Sequence, residues 1–366
     1  MVVNPKKMKL NSKFTRQDFL KKITATGIVA SASIRSYGTS SNKISTSPLP
    51  VSMNPESAEE KKFVPVMITP FQQNGKIDLD GVSHLIDFYL AAGVKGFFAN
   101  CLSSEMYHLN KEERLTLTRH VVKHVKGVVP VVATGSFGST TQEQVEFAKE
   151  IYDTGINAVI LISSHYATKE QSDSTLLGNI ERMLELTGNI PMGLYECPSP
   201  YKRIISPEIF KSLLETKRMI YHKDTSIDQE KIKAKLDLIK NNPLEFYDAH
   251  TANTTFSLQH GAKGMSAISG NFYPEVLVWM CNHSTDQVRQ ADVKWLQHEL
   301  TKAEDIISQA YPMSSKYFLR KRGLPILPVS RTSSQPLTTQ QMQTLDSVHQ
   351  MFLEWCQRLQ IEPVLL

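Results

Sequence analysis

From residue 62 onward the chain repeats one pattern, and that repeat limits the possible folds more than any other feature. A short apolar run leads into a polar turn and then an amphipathic stretch. The runs fall at 64–68, 96–99, 130–134, 158–162, 192–195, 219–222, 245–247 and 264–267. Each is too short for a helix and is bounded by turn residues. That is the signature of a strand buried on both faces of a parallel sheet.

The stretches between the runs predict helices. Residues 79–92 carry Val82, Leu85, Ile86, Tyr89 and Leu90 at the spacing of one helix face. Asn110 stands where a helix over 111–126 needs its N-cap, with Glu113 three residues on as in a capping box. Residues 141–153, 173–186, 207–215 and 228–240 follow the same logic, and Gly93 and Gly155 sit where a C-cap glycine belongs. Eight such units over about 220 residues is the size of a (β/α)8 TIM barrel. The competitor, a doubly wound open sheet, would normally show a glycine-rich phosphate loop after its first strand. Here that strand runs into Thr69-Pro70-Phe71, a stiff turn with no G-x-G-x-x-G. After residue 285 the pattern turns helical only, at 287–311, 314–321 and 338–359. The expected organisation is a leader and linker over 1–61, a barrel over 62–285 and a C-terminal helical extension over 286–366.

The net charge of +5 invites a nucleic-acid reading until it is divided along the chain. Residues 1–43 hold nine Lys or Arg and one acid, so that segment is +8 and the remainder is −3. Basicity belongs to the leader, and a nucleic-acid partner is rejected. No apolar stretch of about 18 residues occurs, so no membrane span is expected. Cys101, Cys197, Cys281 and Cys356 are scattered, with no Cys-x-x-Cys pair or metal-ligand spacing, and are expected as free thiols. The stretch Thr15-Arg16-Gln17-Asp18-Phe19-Leu20-Lys21 resembles a twin-arginine export signal whose second arginine is Gln17. The expected location is cytoplasmic, or periplasmic if that leader works.

In barrel enzymes chemistry sits at the C-terminal ends of the strands. Strand six runs Met219-Ile220-Tyr221-His222 straight into Lys223. A lysine forced into a partly apolar mouth loses solvation in its charged form, which lowers its pKa and frees a nucleophilic amine. The blander alternative is a lysine salt-bridged to Asp224. Tyr195 ends strand five, where its hydroxyl can reach the same cavity and move protons, or can be an ordinary core aromatic.

Together these residues resemble the dihydrodipicolinate synthase / N-acetylneuraminate lyase family of Schiff-base barrels over about residues 62–330. The likeness rests on Thr69-Pro70-Phe71, Glu105 with Leu109-Asn110, Gly155-Ile156, Tyr195-x-x-Pro198, Lys223-Asp224 and Gly261-x-x-Gly264. It gains weight from the order of these pieces and from the 28 residues separating Tyr195 and Lys223. The resemblance implies that Lys223 condenses with a 2-oxo acid and that Tyr195 passes protons. It implies that Ser103 holds the substrate carboxylate, with Thr69 and Ser104 as further binding residues. Tyr166 falls near a second family tyrosine that reaches a neighbouring subunit's site. A homo-oligomer, dimer or tetramer, is expected, with no metal or organic cofactor.

Two departures qualify the likeness. The family's turn Gly-Thr-Thr-Gly-Glu is here Cys101-Leu102-Ser103-Ser104-Glu105, so a proton-relay hydroxyl is lost at Leu102. An arginine that meets the aldehyde partner's carboxylate in dihydrodipicolinate synthases is here Pro200, with Lys202 and Arg203 following. These changes argue against that particular synthase. The expected function is a class I lyase or aldolase that splits a 2-oxo acid into pyruvate and an aldehyde. The alternatives are a sugar-acid dehydratase using the same imine and a barrel that binds such acids without turnover.

Overall fold

The computed structural model describes residues 60–364; residues 1–59, with the expected leader, lie outside the described residues, as do 365–366. The predicted alternation is present. The strands are β1 (Lys62–Phe63), β2 (Phe97–Phe98), β3 (Val131–Thr134), β4 (Ala158–Ile162), β5 (Met192–Tyr195), β6 (Met219–Asp224), β7 (Glu245–Asp248) and β8 (Gly264–Met265). Between them run α1 (Leu79–Ala91), α2 (Lys111–Val125), α3 (Thr141–Tyr152), α4 (Asp173–Leu186), α5 (Pro207–Glu215), α6 (Gln229–Leu238) and α7 (Thr254–Gln259). After β8 come α8 (Pro274–His283), α9 (Gln290–Ile307), α10 (Met313–Lys321) and α11 (Thr339–Leu359).

All strand pairs are parallel, in the order β1-β8-β7-β6-β5-β4-β3-β2. The two ends of that sheet meet: Val66 bridges Phe98, and Met67 N–H donates to the Phe98 carbonyl at 3.0 Å. The sheet therefore closes into a TIM barrel. The first strand shows why the expected run at 64–68 is displaced. β1 pairs with β8 through Lys62–Phe63, and Pro65, having no N–H, ends that ladder. Beyond it the chain turns to β2 instead.

Strand alternation sorts the core into two clusters. Val64, Val66, Phe98, Val132, Ile160, Ile162, Tyr195, Tyr221 and Tyr247 fill the barrel interior. Val131, Ala133, Val159, Leu161, Leu194 and Phe246 point outward into a larger cluster shared with the helices. The interior leaves no room at Gly193, where a Cβ would lie 2.6 Å from Ile160 Cδ1 and 2.7 Å from Tyr221 Cβ. Only a glycine there lets β6 pack this closely at Tyr221, whose ring lies 6.0 Å from that of Phe98.

The caps explain the helix starts. Asn110 accepts from Glu113 N–H at 2.9 Å while the Glu113 carboxylate accepts from Asn110 N–H at 3.0 Å, as the sequence predicts. Gly93 and Gly155 adopt φ of 87° and 96°, the left-handed conformation that closes α1 and α3. Two helices fall outside the expected set. α7 is a short helix between β7 and β8, and α8 begins before residue 285, with Pro274 in its first turn. The C-terminal helices are tied to the barrel by buried ion pairs, Lys316 to Glu105 at 2.7 Å and Arg322 to Glu275.

The outward residues at the ends of β5 and β6 make a polar knot. Lys235 of α6 is fully buried and donates to Glu196 Oε1 and, at 2.6 Å, to Asp224 Oδ2. Glu196 also accepts from Ile205 N–H at 3.0 Å and Thr225 N–H at 2.9 Å. Removing one partner of such a knot leaves a buried charge uncompensated, at about 3–5 kcal/mol. Lys235→Ala is thus expected to lower stability by about that amount in urea unfolding. Lys240→Ala, which removes an exposed pair with Asp237, should leave the midpoint nearly unchanged.

Candidate functional site

β5 and β6 pair in a register that sets Tyr195 opposite Lys223, both on interior-facing positions. Lys223 is only 4% exposed, and its Nζ lies 4.6 Å from the Tyr195 ring centroid and 5.8 Å from that of Phe98. The alternative pairing with Asp224 is not made, because Asp224 faces outward to Lys235. Among the described residues Lys223 has aromatic neighbours and no ion pair. Burial lowers its pKa from the ordinary lysine value to about 8, against weaker opposing pulls from Cys101, Cys197 and Asp248. At pH 7 about a tenth of such a lysine is neutral amine, roughly 300-fold more than for an unperturbed one.

Tyr195 is buried beside Lys223, and burial, then the neighbouring thiols Cys197 and Cys101, hold its pKa well above the usual tyrosine value. It therefore stays a neutral hydroxyl, able to donate and accept but not to persist as an anion.

The loop after β2 supplies the second wall. Ser103 is 5% exposed, and its hydroxyl is hydrogen-bonded to Tyr311, which also accepts from Asn271 Nδ2 at 2.5 Å. The hydroxyls of Thr69 and Ser104, expected as substrate ligands, are already engaged within the protein. Thr69 donates to the Ser104 carbonyl at 2.8 Å, and Ser104 Oγ contacts the Met67 carbonyl at 2.6 Å and the Ala99 carbonyl at 3.1 Å. These two side chains brace the loop that presents Ser103. Glu105, left-handed at φ 58°, pins the far end of the loop. Its carboxylate accepts from Lys316 Nζ at 2.7 Å, Ser330 Oγ at 2.8 Å and Thr332 N–H at 3.0 Å.

Tyr166 is not brought to Lys223 within the chain. It packs in the outer, helix-facing cluster, and its hydroxyl has no hydrogen-bond partner among the described residues. Of the two cations near the mouth, Arg203 is engaged with Asp173 at 2.7 Å and with the Thr168 and Gln171 carbonyls. Lys202 instead reaches over β6, donating to the Thr225 carbonyl at 2.8 Å. His250, beyond β7, is held down to about 4 by burial and by the Lys202 and Lys223 charges, so it is neutral at pH 7.

Sequence reasoning passed over four of the residues gathered at this end of the barrel. Tyr311 comes from the C-terminal segment, and no local pattern marks it. Cys101 and Cys197 are the free, buried thiols expected, but both lie close enough to Lys223 to influence it. Tyr107 follows β2 and contacts the β5 loop, its hydroxyl 2.8 Å from the Ser199 carbonyl. Glu196, His222 and Asp224 gather donor atoms of the kind a metal takes, but the Lys235 ammonium already lies between the two carboxylates.

Comparison with known proteins gives a consistent relationship. The model of the Dihydrodipicolinate synthetase family matches residues 59–352. The 4-hydroxy-tetrahydrodipicolinate synthase of Oceanobacillus iheyensis is 26% identical over 297 residues, 78% of this chain and 95% of the relative. The putative 2-dehydro-3-deoxy-D-gluconate aldolase YagE of Escherichia coli is 29% identical over 230 residues, 61% of this chain and 74% of the relative. The crystal structure of YagE in complex with pyruvate superposes with a TM-score of 0.72 at 22% identity, covering 80% of this chain and 98% of that one. A dihydrodipicolinate synthase from Bacillus anthracis superposes with a TM-score of 0.71 at 24% identity, covering 79% and 97%.

The depressed Lys223 pKa has a direct readout. Below about 8 the amine is protonated and unreactive; above it the amine is free. Carbamylation of Lys223 by cyanate, followed by peptide mass spectrometry, should rise to half its plateau near pH 8, whereas exposed lysines keep rising beyond about pH 10.

Proposed function

Because this chain belongs to the dihydrodipicolinate synthetase family, we propose that it is a Schiff-base lyase whose Lys223 condenses with a 2-oxo acid. The observation that carries this reading is the buried, unpaired Lys223, with a pKa near 8, paired across the strands with Tyr195. The neutral amine attacks the C2 carbonyl of the acid. The carbinolamine loses its hydroxyl as water, and the resulting iminium draws in the electron pair released when a carbon–carbon bond breaks. The C4 hydroxyl passes its proton to the Tyr195 oxygen, which gave one up to the departing water, as the C3–C4 bond breaks and an aldehyde leaves; the enamine then takes that proton at C3, and hydrolysis returns pyruvate and the free lysine. Running in reverse, the same steps join the two fragments. The iminium is itself the electron sink.

Ser103 with Tyr311 offers hydroxyls for the carboxylate of the 2-oxo acid, and Tyr195 is the hydroxyl placed to serve the proton transfers. The aldehyde partner is proposed to differ from that of dihydrodipicolinate synthase. Pro200 offers no charge for a second carboxylate, and Arg203 is engaged with Asp173. We further propose a homo-oligomer, dimer or tetramer; Tyr166, its hydroxyl buried in the helix layer, is left out of the site. Among the described residues no helix is long and apolar enough to cross a membrane.

Incubation with pyruvate and borohydride should leave a reduced adduct on Lys223, detected by peptide mass spectrometry, and Lys223→Ala should lose it while remaining folded. A wild-type protein that forms no adduct with pyruvate or longer 2-oxo acids would refute the proposal. Tyr195→Phe should keep the adduct at long incubation but slow its formation by about 10²–10⁴-fold, the usual worth of a positioned proton-transfer group.

A further inference from the structure

Schiff-base chemistry at Lys223, the premise of this inference, needs a 2-oxo acid that is also held at its carboxylate. In the proposed site that task falls to Ser103, on the loop after β2. The closed strand order sets β1 opposite β5 and β2 opposite β6, so this loop faces Tyr195 and Lys223 across the mouth. Two residues past Ser103, the buried carboxylate of Glu105 takes five hydrogen bonds from the C-terminal part of the chain. One comes from Lys316 Nζ. The others come from the Ser330 hydroxyl, the Arg331 and Thr332 N–H groups and the Thr332 hydroxyl. These fill the acceptor capacity of a carboxylate, which is about four lone-pair sites. Where the Ser103 loop sits therefore depends on where residues 330–332 sit.

That segment has no ladder of its own to hold it. Residues 322–338 run irregularly from α10 to α11, and 332–336 are exposed. The Arg331 side chain is what fastens them. Its Nε donates to the Gly75 carbonyl at 3.0 Å, on the loop after β1. Its Nη1 donates to the His108 carbonyl at 2.9 Å and to Glu113 Oε2 at 2.8 Å, and its Nη2 to Glu113 Oε1 at 2.6 Å. The guanidinium carbon lies 4.8 Å from the centre of the Phe71 ring. Four of the five N–H donors of the fork are thus used. They grip the chain on both sides of the Ser103 loop: the loop after β1, the turn just beyond Glu105 and the first turn of α2.

We propose that Arg331 is a positioning residue for the carboxylate end of the site. Its guanidinium clamps the C-terminal segment to both flanks of the Ser103 loop, and Glu105 passes that placement on to Ser103. Glu113 fixes the guanidinium in turn, and is itself fixed by its capping box with Asn110. Without the clamp residues 330–332 lose their register on Glu105. A Ser103 hydroxyl displaced by about 1 Å no longer meets the carboxylate of an acid whose C2 is tied to Lys223. Lys223 and Tyr195 stand on the opposite strands, outside the clamp, so the imine chemistry itself stays intact. A lysine cannot take the place of Arg331. Its ammonium is a point charge, unable to span Gly75, His108 and both oxygens of Glu113 at once.

The test is borohydride trapping at Lys223 in the full-length protein, read by peptide mass spectrometry over a range of pyruvate concentrations, with thermal unfolding alongside. Arg331→Ala is expected to raise the half-saturating pyruvate concentration by about 10-fold or more, the worth of a charge-assisted hydrogen bond. Its limiting trapping rate should match wild type. Arg331→Lys is expected to fall with Arg331→Ala. Acetone, a ketone with no carboxylate to hold, should trap at Lys223 alike in wild type and both variants. A folded Arg331→Ala or Arg331→Lys protein with the wild-type half-saturation overturns the proposal. So does a lowered limiting rate at unchanged half-saturation, or an equal loss with acetone, either of which makes Arg331 a general brace of the fold. If neither Arg331 variant folds, Glu113→Gln decides. It keeps an oxygen for the Asn110 cap but loses the charge that fixes the guanidinium, and should raise the half-saturation; a folded Glu113→Gln protein at the wild-type value overturns the clamp. Wild-type protein that forms no pyruvate adduct refutes the Schiff-base reading itself, on which the role of the clamp depends.

Discussion

The buried ammonium of Lys235 between the carboxylates of Glu196 and Asp224 sets the conditions for everything at the mouth of the barrel. Glu196 follows Tyr195 in sequence and Asp224 follows Lys223, so strand alternation turns the acids outward when it turns the tyrosine and lysine inward. A slip of either strand by one residue would bury Tyr195 and Lys223 among the helices and expose both acids to the barrel interior. The knot makes such a slip costly, because Glu196 also accepts from Ile205 and Thr225 N–H groups on the two flanking loops. Burial by itself would push the Asp224 carboxyl up. The His222 imidazole and the Lys235 ammonium outweigh it and hold the group well below the usual carboxylate range.

The two buried lysines show how surroundings decide the chemistry of one residue type. Burial disfavours the charge of Lys235, but Glu196 and Asp224 more than offset this and raise its pKa. Lys223 is buried on the other face of the sheet, among the rings of Tyr195 and Phe98, and there burial prevails. One lysine is a fixed cation that locks two strands together; the other is an amine whose proton is loosened by burial. Acids close enough to stabilise a Lys223 charge are kept turned away by the same alternation that points Lys223 inward.

The C-terminal helices belong to the site as much as to the scaffold. Glu105 ties the loop of Ser103 to Lys316 and to the segment around Ser330 and Thr332, about two hundred residues further along the chain. Tyr311 enters from the connection between α9 and α10 and meets Ser103. Thr69 and Ser104 hold the loop from below by binding its backbone. The loop is thus fixed from both sides, leaving Ser103 as the hydroxyl it presents.

Much of this was legible beforehand, for a local reason. Short apolar runs, caps such as Asn110 with Glu113, and the glycines at 93 and 155 act over a few residues, so periodicity and turn chemistry place the β/α units and bring Lys223 and Tyr195 to neighbouring strand ends. The first strand was misplaced because Pro65 hands the chain from one neighbour to another, and that handover depends on the partners. Which side chains face one another across the barrel is a property of closure. The engagement of Thr69 and Ser104 with backbone carbonyls, the turning of Tyr166 into the helix layer, the approach of Tyr311 and the meeting of Tyr107 with His165 and Ser199 all join residues far apart in sequence. Local chemistry in the sequence determined the units and the residue types at their ends. Only the closed tertiary structure decided which buried charges are neutralised and which hydroxyls remain available, because desolvation and hydrogen-bond pairing depend on what lies across space rather than along the chain.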